Sequence, residues 1–223
     1  MEQSQELLCD TRYARTGKLY DLINKYAEQV VRTAETNNLF ESYQWLSANH
    51  TSQEYEGKYR QFWAMGGAHL NLRFYPVYFT LLNEIRNAEP SADIAGQLTE
   101  VTRKLYDASE DSRGRKSIQF SFATKLMHTV HPHLPIYDSM VAEFFFFPGP
   151  TKENVEERIG EYIAFHKFLI GEYDRILRQG LLTKAVELFR NKCTDPCWTD
   201  EKIIDSLIWA FVALLRRREI SYA

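Results

Sequence analysis

Apolar residues recur at three- and four-residue spacing along nearly the whole chain, the period of one face of an α-helix. Residues 18–35 carry Leu19, Leu22, Ile23, Tyr26, Val30 and Val31 on a single stripe. The same spacing predicts short helices over 40–48 and 53–65, parted by the turn ANHTSQ, where Thr51 or Ser52 stands at a capping position. Gly66-Gly67 breaks the run before a helix over 70–86, in which Pro76 marks a start or a kink. NAEPSAD is a turn, with Ser91 capping a helix through Tyr106. The polar stretch 107–114 reads as a loop, 115–130 as a helix and HPHLP as a rigid turn. Another helix begins at Asp138 and stops at FPGP, 147–150. Thr151 then opens a long helix to Arg178, closed by Gly180, and two more helices follow over 181–191 and 200–218. No strand-like alternation and no internal repeat stand against this. The expected fold is all-α.

Polar breaks at 107–114 and 147–150 suggest lobes rather than separate domains. The expectation is one helical domain, 1–223, with an N-terminal helical lobe at 1–106, a middle segment at 107–150 and a C-terminal helical part at 151–223.

Composition narrows the class. Of 223 residues, 44% are hydrophobic and 26% charged, the balance of a globular protein and not of a disordered one. A net charge of −3 argues against a protein that coats nucleic acid, though not against one that grips a few phosphates. Cys9, Cys193 and Cys197 are too few for a disulfide framework, and CTDPC lacks the second pair that a zinc site needs. The stretch MEQSQELLCD has no basic-then-apolar signal pattern, and the apolar run Ile203–Leu215 is interrupted by Asp205. A cytoplasmic protein without membrane association is expected.

Candidate chemistry concentrates in RGRKSIQFSFATKLMHTVHPHLPIYDSMV. A basic turn with one glycine leads into a helix, the helix ends at a proline turn, and Asp138 then opens the next helix. Asp138 has one plain role there, that of an N-cap worth about 1 kcal/mol. Arg113, Gly114, Arg115 and Lys116 form a basic turn suited to a DNA phosphate. His128, His131 and His133 invite a metal reading, but Asp138 is the one carboxylate near them in sequence and the proline turn explains the segment, so no metal and no cofactor are expected. Further on, Asp205 and Trp209 stand one helical turn apart on one side of their helix.

These residues resemble the helix-hairpin-helix DNA glycosylase superfamily. PIYDSMV is similar to the segment that bears that family's catalytic aspartate, which implies Asp138. Bifunctional members carry a lysine where hairpin meets helix. GRK puts Lys116 there, and Lys125 in FATKLMH is the competing lysine. The family's usual hairpin is roughly Leu-Pro-Gly-(Val or Ile)-Gly, and this chain has Ser112-Arg113-Gly114-Arg115 instead. FATKLM and the divergent hairpin look closest to the archaeal 8-oxoguanine branch, in which an Asp and a Trp one turn apart line the base pocket. That implies the same for Asp205 and Trp209, with Tyr137 and Trp63 as further lining.

The resemblance implies two helical lobes with a hairpin-like element and a base pocket between them. It implies a monomer that flips a modified base out of DNA and excises it, leaving an abasic site. Asp138 would stabilise the oxocarbenium-like sugar, and a lysine would add a Schiff-base lyase step. Two substrates stay open: an oxidised purine such as 8-oxoguanine, or a hypermodified cytosine of phage DNA removed in defence. The alternative is a non-catalytic helical module that binds DNA or protein and keeps only the architecture.

Overall fold

The computed structural model describes residues 16–36, 39–68, 70–89, 91–111 and 113–221. Among them every regular element is helical and none is a strand. The helices are α1 (16–25), α2 (Ala27–Ala34), α3 (Leu39–Ala48), α4 (Tyr55–Phe62), α5 (Phe74–Asn87), α6 (Ile94–Ala108), α7 (Phe120–Val130), α8 (Ser139–Phe144), α9 (Val155–Gln179), α10 (Thr183–Lys192) and α11 (Asp200–Arg216), with a 3₁₀ turn at Met65–Ala68. Cys9 and Ser112 lie outside the described residues. No helix among those described is long and apolar enough to cross a membrane.

Side-chain caps move several helix starts from where the apolar spacing puts them. The stripe over 18–35 is broken at Tyr26 into α1 and α2. Asp93, not Ser91, caps α6 by accepting from Gly96 N at 2.8 Å, while Ser91 Oγ receives Asp93 N at 3.1 Å in the turn before it. Asn154 takes the amide of Glu156 at 2.8 Å ahead of α9, and Thr151 bonds to Glu161 instead. Pro76 is the third residue of α5, within the first turn where an absent N–H costs nothing. Gly180 closes α9 as expected, at φ +62 and with Leu181 N donating back to Ile176 O at 3.0 Å.

The largest shift is at α7, which begins at Phe120 and not at 115. Asp111 organises the residues before it. Its Oδ1 receives the amides of Arg113 and Arg115 at 2.8 and 2.9 Å, and its Oδ2 receives the Arg115 guanidinium. Gly114 sits in this turn at φ +74, the left-handed region that glycine enters without a Cβ clash. Ser117 N then bonds to Ser109 Oγ at 2.9 Å, so the chain stays non-helical until Gln119.

The chain forms two compact units that interleave along the sequence. The first holds 16–36, 138–149 and 171–221, and the second holds 39–137 and 150–170. In the first unit α11 packs against α2 and α8, and α10 packs against α2. Its core includes Tyr20, Ile23, Phe144, Phe145, Tyr173, Phe189, Trp198 and Phe211, each at most 2% exposed. Asn24 ties α1 to the α9–α10 turn, its Nδ2 donating to Leu181 O at 2.8 Å. In the second unit α5, α6 and α7 pack on one another and α3 packs on α4. A buried chain of hydroxyls, Tyr78 to Tyr59 at 2.8 Å and Tyr59 to Thr129 at 2.9 Å, joins α5, α4 and α7 there.

Candidate active site

Asp138 caps α8. Its Oδ1 accepts the amides of Met140 and Val141, both at 2.8 Å, and its backbone is extended at φ −143 and ψ 176. The capping role expected of it is therefore present. Only one carboxylate oxygen is used for it. Oδ2 has no hydrogen-bond partner among the described residues, and the side chain is half-buried. Val141, Ala142, Phe144 and Phe145 anchor the short helix below it in the first unit's core.

Two elements of the same unit bring polar groups to this core. On α11, Asp205 is 7% exposed and its Oδ2 receives Lys202 Nζ at 2.9 Å. The pair is buried on both sides, with side-chain exposures of 5% and 10%. On α9, Tyr173 is 1% exposed, its ring 6.5 Å from that of Phe145. Its hydroxyl is buried without a hydrogen-bond partner among the described residues. Burial raises its pKa well above the ordinary phenol value, and the negative charges of Asp205 and Asp138 push it the same way. The Tyr173 hydroxyl is thus held neutral. Tyr20, close by, spends its own hydroxyl on Glu172 at 2.7 Å, and the half-buried Arg175 pairs with the same carboxylate.

Trp209, one turn beyond Asp205, emerges from this core. It is 37% exposed, while every other residue from Lys202 to Leu214 is buried. Its ring touches no other ring among the described residues.

The remaining sequence candidates belong to the second unit. Lys116 lies in the extended stretch before α7, not at a turn-to-helix junction. Its Nζ is 2.8 Å from Asp107 Oδ1 and 5.6 Å from the Tyr106 ring. Asp107 raises its pKa, the reverse of what an amine nucleophile near neutral pH requires. Arg113 and Arg115 have their amides turned onto Asp111, so the Arg113-Gly114-Arg115 turn already encloses a carboxylate where a phosphate would bind. Lys125 is half-buried on α7, with Nζ 5.6 Å from the Trp63 ring and 5.1 Å from that of Phe122. Trp63 itself is 9% exposed and packs edge-on against Phe62 and His128, which places it in the core of this unit.

Tyr137 is half-buried among Phe120, Tyr162 and Phe165. Its amide donates to Thr124 Oγ1 at 3.0 Å, a clasp between α7 and the residue just before Asp138. The histidines of HTVHPH are spread over different tasks. His128 Nδ1–H donates to Leu134 O at 2.8 Å, and its Nε2 faces the Tyr43 hydroxyl at 2.8 Å. His131 is half-buried with a pKa lowered by desolvation, and His133 is exposed. No three His, Cys, Asp or Glu side chains converge as a metal site among the described residues.

Tyr173 and Lys202 are polar residues of this core that the sequence pattern does not single out. Tyr173 occurs in GEYDRIL, within a long amphipathic helix, and nothing local marks its hydroxyl as buried. Lys202 precedes Asp205 by three positions, the spacing of an ordinary exposed helix pair. No protein-family model matches the chain, and no curated protein or solved structure does.

Proposed function

We propose that this chain is a DNA N-glycosylase, with Asp138 as the carboxylate at the sugar of a flipped nucleotide. The observation that supports this most is the division of labour on Asp138: Oδ1 is spent on capping α8, and Oδ2 is left to act. An N-cap fixed by two amides is a pre-organised anion. Stabilising the positive sugar of an oxocarbenium-like transition state calls for such a group.

Trp209 offers an exposed ring on which a flipped base stacks. The substrate is a modified base, an oxidised purine such as 8-oxoguanine or a hypermodified cytosine. The charge state of Lys116 favours release of the base by water over attack by that amine. The DNA backbone is held through the exposed Arg113 side chain rather than through the amides of its turn.

The test is incubation with duplexes carrying 8-oxoguanine or hydroxymethylated and glucosylated cytosine, followed by hot alkali to cut abasic sites. Strand breaks with the native protein and none with Asp138→Asn are expected. Undiminished breakage by Asp138→Asn would remove Asp138 from the reaction. Borohydride trapping with Lys125→Gln and Lys116→Gln then reports whether either amine bonds to the sugar.

A further inference from the structure

A lone exposed leucine is ordinary on a protein surface. Leu72 differs in what holds it and in what stands beside it. At 84% it is the most exposed large hydrophobic residue among those described. Asn71 locks the turn that carries it: Oδ1 accepts Arg73 N at 2.6 Å, and the Asn71 carbonyl accepts Phe74 N at 3.1 Å at the start of α5. Asn71 Nδ2 also donates to Glu110 O, which staples this turn to the Asp111-centred turn within the second unit.

The charges around the two turns are not equally engaged. Arg115 pairs with Asp111, and Lys116 pairs with Asp107. Arg73 and Arg113 are exposed and make no ion pair among the described residues. Nor does Arg60, whose guanidinium lies 3.9 Å over the ring of Tyr75, three residues after Leu72. Against these three guanidinium groups the turns set one unpaired carboxylate among the described residues, Glu110.

We propose that this surface binds duplex DNA, with Leu72 inserted between stacked base pairs and Arg60, Arg73 and Arg113 on the flanking phosphates. A guanidinium matches a phosphate with paired donors, and one apolar side chain suffices to part a base step. The locked turn matters, because a side chain already held in place gives up little freedom on insertion. A lipid surface fits less well: attachment there calls for a broad apolar face or an acyl chain beside the basic groups, and one leucine supplies neither. A patch of this size also suits a chain of net charge −3, which cannot attract DNA with its whole surface. The inference extends the DNA contact of the glycosylase reading and does not rest on base release.

A short duplex with fluorescein at one end reports binding by anisotropy, and the same duplex with 2-aminopurine at its centre reports unstacking. The native protein should bind at low salt and brighten 2-aminopurine. Leu72→Ala should bind about 10-fold more weakly, the scale of burying one leucine, and should leave 2-aminopurine dark at saturation. Arg60→Gln and Arg73→Gln should each flatten the slope of log affinity against log salt by about 0.9, one phosphate apiece. A protein that does not bind the duplex overturns the inference. So does brightening that survives in Leu72→Ala, or a salt slope unchanged in both arginine variants. Leu72-dependent pelleting with phosphatidylserine vesicles, without duplex binding, would assign the surface to a membrane instead. Base release by a protein whose Leu72→Ala variant still brightens the probe leaves the glycosylase reading standing and removes this one. Leucine-dependent brightening without base release from any duplex does the reverse.

Discussion

Lys202 and Asp205 form an ion pair one turn apart on α11, Nζ to Oδ2 at 2.9 Å, with neither side chain more than 10% exposed. A charge so enclosed is tolerated because of its partner. Lys202→Met strands the carboxylate and should cost about 3–5 kcal/mol of stability. The double variant Lys202→Met, Asp205→Leu should recover most of that loss, since an apolar pair of similar volume is often neutral or better. Urea unfolding of the two single variants and the double variant closes the cycle. Additive losses would show that the two groups do not depend on each other.

Asp138 has a structural role and a proposed chemical one, and two substitutions separate them. Asn is as good an N-cap as Asp, so Asp138→Asn should unfold within a few tenths of a kcal/mol of the native protein. Asp138→Ala loses both amide contacts and should cost about 1 kcal/mol. Under the proposed function both variants lose base release. A stable, inactive Asp138→Asn therefore reports chemistry, and an unstable one reports only the cap.

The all-helical fold was legible because apolar spacing is a property of each helix alone, and Asp138 was legible because PIYDSMV carries its cap and its turn together. What failed to show were the relations set by distant partners. Lys116 follows a basic glycine turn and looks ready for an anion, yet Asp107 on α6 and the Asp111-centred turn claim these groups. The four phenylalanines 144–147 look alike in sequence, yet Phe146 is 47% exposed while Phe144 and Phe145 are buried. Tyr173 is invisible for the same reason: the burial of its hydroxyl depends on packing in the first unit's core, far off in sequence.

His166 gives a pH dependence with a definite sign. It is 2% exposed, with Nε2–H donating to Pro135 O at 2.9 Å, and burial lowers its pKa below the ordinary histidine value. The unfolded chain therefore takes up a proton at a higher pH than the folded one. The stability it contributes is complete above about pH 6.5, the unfolded value, and is lost as pH falls through the lower folded value. His131, lowered by desolvation as well, adds to the same trend. Urea midpoints measured from pH 7.5 down to pH 5 should drop, and His166→Gln should make the drop shallower. An unchanged slope in His166→Gln would assign the effect to other groups.

Phe146 ends α8 at φ +56, with Phe147 N donating back to Ala142 O at 2.8 Å, the position that helices usually give to glycine. A side chain there costs roughly 1–2 kcal/mol, from the clash of Cβ with the backbone. Glycine escapes that clash but loses more chain entropy on folding, roughly 0.5–1 kcal/mol, so Phe146→Gly should come out level with the native protein or slightly above it. Phe146→Ala keeps the strain and gives up the ring's contacts, and it should be less stable than Phe146→Gly by about 1 kcal/mol. That ordering is the check, because ring contacts alone would rank alanine level with glycine. Alanine above glycine in a urea titration would mean that the left-handed turn at 146 carries no strain.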